Sequence, residues 1–128
     1  MSPGLVLPRK PLLYPNECVS RILAAIPPGH YHLRLVLEFK DGTRVVLHEA
    51  TVAAIVRAYV SIVTHPSRRG VMLVSRRLTR AQRKIGYAEW QLIEGDASED
   101  EAISEVVRVL SDAEVPRGCL GENEARER

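Results

Sequence analysis

The chain has 128 residues, 45% of them hydrophobic and 27% charged, with a formal net charge of +2. That length is near the commonest size of a single domain, and the composition is ordinary for a globular protein. Together they exclude a fully disordered chain, a collagen-like repeat and a multidomain enzyme.

The first fifteen residues are punctuated by Pro3, Pro8, Pro11 and Pro15 and read as an extended arm. Leu5, Leu7, Leu12, Leu13 and Tyr14 make the arm apolar, so it is expected to pack on the body or on a partner. No secretory leader is read in this stretch, because it lacks an unbroken apolar core. Asn16 is a good N-cap for a short helix with Val19, Ile22, Leu23 and Ile26 on one face, ended by Pro27-Pro28-Gly29.

Tyr31 to Phe39 alternates as a strand, with Tyr31, Leu33, Leu35, Leu37 and Phe39 on one face and Val36 the exception on the other. Lys40-Asp41-Gly42 turns the chain into a second strand, Thr43 to His48. A two-residue Asp-Gly loop would set Leu35 opposite His48 and mix the faces. A three-residue loop with Gly42 left-handed pairs Leu37 with Val45, Leu35 with Leu47 and Glu38 with Arg44, which keeps one face apolar.

Residues 49–64 predict a helix. Val52, Ile55, Val56, Tyr59, Ile62 and Val63 form one stripe, and the opposite stripe of Ala50, Ala53, Ala54, Ala58 and Ser61 is small rather than polar. A helix with almost no charged face is central in the fold or covered by another subunit. Val71 to Ser75 and Tyr87 to Glu94 read as two further strands. Ser98 with Glu101 forms a capping box opening a last helix whose buried stripe is Ile103, Val106, Val107 and Leu110. From Glu114 onward the chain is polar.

The expected fold is α+β: an arm (1–15), one domain (16–113) in the order α-ββ-α-ββ-α, and a polar tail (114–128). A four-stranded, mostly antiparallel sheet carries helices on one face. The link from Val45 to Val74 would be a right-handed crossover if its strands lie side by side.

The small net charge conceals a division. Residues 1–86 hold 14 Lys and Arg against 4 Asp and Glu, whereas residues 87–128 hold 4 against 12. This asymmetry points to a polyanion-binding surface, or to halves that fold against each other and cancel. The basic side is densest from His65 to Lys84, where Arg68, Arg69, Arg76, Arg77, Arg80, Arg83 and Lys84 stand without any acidic residue. Guanidinium forks suit phosphate oxygens because they bind in pairs and stay charged. With Arg34 and Arg44 extending the surface along the hairpin, these residues define a nucleic-acid-binding module that grips the backbone of DNA or RNA. Only six residues are aromatic, so base stacking has little support.

Other constellations carry less. His32 and Arg34 share the outward face, and the three-residue turn sets His48 opposite Arg34. That triplet has the groups a metal-independent ribonuclease needs, and two of the ligands of a metal site that lacks a third. His30 and His65 flank turns. Glu94, Asp96, Ser98 and Asp100 echo a calcium loop, but Glu99 stands where its glycine belongs. No phosphate-binding loop, dinucleotide fingerprint or nucleophile elbow is present, so the chain reads as non-enzymatic, with neither cofactor nor metal. Cys18 and Cys119, without metal-ligand spacing, read as reduced thiols of a cytoplasmic protein. The stretch Ala50 to Thr64 is too short to span a bilayer. Asn, Gln, Met and Cys occur twice each, which fits a thermophilic source, whereas 15 Arg against 3 Lys equally fits a GC-rich genome.

The leading expectation is therefore non-enzymatic nucleic-acid binding. The alternative is a protein–protein interaction or subunit protein, a homodimer or complex component. It rests on the uncharged helix, the apolar arm and the opposite charges of the halves.

Overall fold

A computed structural model describes residues 9–83 and 88–119. It is α+β, with two helices and two antiparallel sheets rather than one four-stranded sheet. A single 3-10 turn at Asn16–Cys18 leads into β1 (Val19–Ala25), followed by β2 (Arg34–Phe39) and β3 (Arg44–His48), which form a three-stranded sheet in sequence order. Helix α1 (Glu49–Val63) follows β3 without a loop. β4 (Leu73–Arg77) and β5 (Trp90–Glu94) form a second, two-stranded antiparallel sheet, and α2 (Glu99–Asp112) closes the order.

Two expectations about this order are corrected. The segment after Asn16 is a strand, not a helix. Its apolar residues fit either period over so short a run, and seven residues bounded by Pro15 and Pro27 cannot build a self-sufficient helix. They find ladder partners along β2 instead, with a bulge at Ser20 whose hydroxyl donates to the Glu38 carbonyl at 2.9 Å. The single sheet is replaced by two because α1 leaves directly from His48 and packs against β2, β3 and β5. The helix holds the β4–β5 ribbon away from β3, so the crossover rule has no pair of neighbouring strands to act on. The later strands also shift: β4 starts at Leu73 and β5 at Trp90, while Tyr87 lies outside the described residues.

The hairpin register is the three-residue one. Leu37 pairs with Val45, Leu35 with Leu47, Glu38 with Arg44 and Arg34 with His48. Gly42 sits at φ 92, the left-handed conformation that the turn requires. Directly opposed residues share a face, so Val36 is no stray: it lies between Leu23 and Val46 in an apolar row across all three strands.

One end of the molecule is tied closely. Tyr14 stacks on Phe39 with ring centroids 3.8 Å apart, and its hydroxyl donates to Asp41 Oδ2 at 3.0 Å. Leu12 forms a parallel bridge with Glu114 through backbone hydrogen bonds of 2.9 and 3.0 Å. Cys18 and Cys119, both buried, are joined in a disulfide with Cα atoms 5.1 Å apart. The expectation of two reduced thiols is thereby overturned. Their separation of 101 positions said nothing about distance in space, because the fold brings both ends of the described chain to the hairpin tip.

The helices are held by small residues. Ala54 is 2% exposed and Ala102 4%, while the large stripes point away. On α1, Ile55, Val56, Tyr59 and Val63 are exposed. On α2 the expected buried stripe is exposed as well: Val106, Val107 and Leu110 project outward, and Ile103 is at the edge. This helix is anchored at its first turn, where the Ser98 hydroxyl accepts from Glu101 N and Glu99 accepts from Arg69 N. A Cβ on Gly70 would lie 3.0 Å from the Ile103 side chain and 3.2 Å from the Glu99 carbonyl, so a larger residue there would press its neighbours by a few tenths of an ångström. Beyond that turn nothing pulls the rest of the stripe inward.

A covalent closure between such distant residues contributes about 4–5 kcal/mol by chain entropy. Replacing Cys18 and Cys119 with Ser, or reducing them, should lower the thermal midpoint by roughly 10–15 °C. Scanning calorimetry with and without a phosphine reductant measures the shift. Alkylation of the denatured, unreduced protein should label neither cysteine, and labelling of both would contradict the bridge.

Candidate functional site

The basic residues singled out in the sequence do not form one surface. Arg68 is ion-paired with Glu94, and Arg77 with Glu89 at 2.7 Å. Arg69 offers its backbone N–H to Glu99, leaving its guanidinium without an ion pair among the described residues. The ribbon register pairs Arg76 with Gln91 and Arg77 with Trp90, so the two arginines occupy opposite faces of β4. Arg80 and Arg83 belong to a turn in which Arg83 N donates to Thr79 O at 3.0 Å and Gln82 Oε1 accepts from Thr79 N at 3.0 Å. Lys84 lies outside the described residues. Arg44 is 3.3 Å from Glu38, whose other carboxylate oxygen is 2.6 Å from Arg21. Arg34 Nη1 donates to the Leu33 carbonyl at 3.2 Å.

Two of the six described cations of the cluster are thus ion-paired, with carboxylates from the acidic half. Part of the charge division cancels across β4 and β5, while Arg69, Arg76, Arg80 and Arg83 remain without an ion pair among the described residues. Such pairs at the surface carry little energy individually, so they do not by themselves fix the fold.

A second group comes together where the hairpin ends and α1 begins. The register that sets Arg34 opposite His48 continues past the strand, bringing His32 and Leu33 beside Glu49. The His32 ring nitrogen Nδ1 lies 2.9 Å from Glu49 Oε2, and Leu33 N donates to Glu49 Oε1 at 3.1 Å. These contacts, the backbone one foremost, hold the Glu49 carboxyl below the usual carboxylate range. Sequence reading weighed His32, Arg34 and His48 but passed over Glu49. Running the predicted register one residue further would have found it.

This group lines a cleft of about 610 Å³ whose far wall is β5, with Trp90 57% exposed on it. A separate cleft of about 540 Å³ lies between α1 and the ribbon, lined by Ala58, Ser61, Leu73 and Leu92, and Arg57 reaches across to donate to the Leu92 carbonyl at 2.9 Å. His65 braces the loop after α1, where its Nδ1 accepts from Ser67 N and Arg68 N at 3.1 and 3.0 Å. Among the described residues no three metal-ligating side chains assemble, and no helix is long and apolar enough to cross a membrane. Comparison with known protein families, with curated proteins and with solved structures finds no match to this chain.

Glu49, Glu38 and Asp41 are all held below their ordinary range, Glu38 first by its Arg21 hydrogen bond and Asp41 first by the Thr43 N–H. Their ionised forms stabilise the fold at pH above about 4.3, and that contribution disappears as pH falls through the lower folded values. Glu49→Gln should therefore melt below the parent near neutral pH and converge on it as the solution is made more acid. A series of melts from neutral to acid pH checks this. A gap that widens on acidification would contradict the assignment.

Proposed function

We propose that this chain is a subunit of a larger assembly, and that its outward helix faces are covered by a second copy of itself. One observation carries the reading. Among the described residues only Cys18, Ala54, Gly70, Ala102 and Cys119 are buried, and no Leu, Ile, Val, Met, Phe, Tyr or Trp is. A stable domain of this size normally encloses large side chains, each contributing about 1.5–3 kcal/mol on burial. Here Val56, Tyr59 and Val63 on α1, with Val106, Val107 and Leu110 on α2, leave two apolar faces in water. Faces of that kind mark interaction surfaces.

Charge supports a like partner. Arg69, Arg76, Arg80 and Arg83 have no ion pair among the described residues, and neither have Asp96, Asp100 and Glu101 near the start of α2. One copy can answer the spare cations of another with its own spare carboxylates, which is the complementarity that sets register in symmetric assemblies.

Val106→Asp with Leu110→Asp tests the face. Both side chains are exposed in the single chain, so the pair should alter the isolated fold by no more than about 1 kcal/mol. At an interface core the same pair should weaken association by about 100-fold or more, read by sedimentation velocity. An unchanged mass distribution would remove α2 from the interface, and the same result with Tyr59→Asp and Val63→Asp on α1 would overturn the reading.

Nucleic-acid binding is the second reading, favoured by Arg76, Arg80 and Arg83, which keep their charge free of carboxylates among the described residues. Replacing the three with Ala should lower affinity for labelled RNA or DNA and reduce the log–log salt slope by about 2–3. Fluorescence anisotropy at several salt concentrations measures both. An unchanged slope would reject these arginines as phosphate contacts.

A further inference from the structure

The cleft bounded by the end of the β2–β3 hairpin, the start of α1 and β5 is unrelated to the apolar helix faces and carries its own chemistry. We infer that it binds a nucleoside monophosphate unit, free or at the terminus of a nucleic-acid strand. Its volume of about 610 Å³ falls within the range of small-molecule sites, about 300–1,000 Å³.

Arg34 and His48 face the same side of the sheet as directly opposed residues, while Arg57, which also lines the cleft, donates to the Leu92 carbonyl of β5. Arg34 is half-buried and commits only Nη1, to the Leu33 carbonyl, so the remainder of its fork is open to a phosphate. Glu49, the carboxylate beside it, stays ionised, held by Leu33 N–H and His32 and attracted by Arg34, so a phosphate shares the Arg34 charge with it. The other acidic wall residue, Glu89, is ion-paired with Arg77 at 2.7 Å. The β5 wall of the cleft carries Trp90, an indole more than half exposed in a chain with one tryptophan and six aromatic residues in all. An exposed flat ring in the same cleft as an arginine–histidine pair suits a ligand with an aromatic base at one end and a phosphate at the other, stacking being worth about 1–3 kcal/mol per base.

Because Trp90 is the sole tryptophan, intrinsic fluorescence reads the cleft directly. The probes are adenosine 5′-monophosphate, adenosine, inorganic phosphate, and an RNA pentamer with and without a 5′-phosphate. The monophosphate should change Trp90 emission saturably and bind about tenfold or more tighter than adenosine, and Arg34→Ala should abolish that margin. His48→Gln, a milder change, should reduce it in a protein whose circular dichroism is unaltered. Trp90→Phe, followed by calorimetry, should weaken nucleotide and nucleoside alike. A phosphorylated pentamer that outcompetes the mononucleotide places the ligand at a strand end, and the reverse order places it as a free nucleotide. Emission that does not respond to the monophosphate up to millimolar concentration would overturn the inference. Equal binding of adenosine and its monophosphate would do the same, and neither result bears on whether the helix faces associate.

Discussion

Ala54 and Ala102 are the residues that the two helices bury against the rest of the molecule, and their small size limits how much apolar surface those contacts remove from water. A methyl group lets backbone come near backbone, but it removes little apolar surface from water. Both helices therefore dock through their small sides and turn their large apolar stripes outward. Gly70 repeats the pattern at the first turn of α2, where even a Cβ would crowd Ile103 and the Glu99 carbonyl. The chain is thus well anchored locally and poorly filled globally, with a cleft of about 540 Å³ between α1 and the β4–β5 ribbon.

Order in the three-stranded part comes from its tied corner. The Tyr14–Phe39 stack, the Leu12–Glu114 bridge and the Cys18–Cys119 bond converge on the turn at Asp41 to Thr43, so both ends of the described chain brace the hairpin tip. Rigidity there fixes the strand register, and the register in turn delivers Arg34, His48 and Glu49 to the mouth of α1. Among the described residues the ribbon has no comparable brace. It depends on α1, on Arg57 reaching the Leu92 carbonyl, and on the pairs Arg68–Glu94 and Arg77–Glu89. Local opening is expected first in that half.

Much of this was legible in the sequence where local chemistry decides. The hairpin register followed from the requirement that Leu35 and Leu37 face Leu47 and Val45, and Gly42 adopted the positive φ that the turn demanded. Ser98 capped α2 because its side chain reaches Glu101 N whatever lies beyond. The reading failed where long-range partners decide. Val19 to Ala25 became a strand because β2 offered a ladder, which no seven-residue pattern announces. The stripe Val106, Val107 and Leu110 had the spacing of a buried face, yet spacing names a face without naming what covers it. Cys18 and Cys119 met because the two ends share one corner, a fact of topology. Of the candidate site, the arginines were visible as composition, while their separation onto opposite faces of β4 required the register with β5. Glu49 was hidden because it belongs to the helix by sequence and to the hairpin's end by position.

A chain whose described residues enclose no large apolar side chain should draw stability from association, and such stability depends on concentration. The most direct measurement is the thermal midpoint of the oxidised parent protein over a hundredfold range of concentration, with sedimentation equilibrium run alongside. The account predicts a midpoint that rises with concentration and a mass at a multiple of 14.3 kDa. A midpoint independent of concentration in a 14.3 kDa monomer would contradict it.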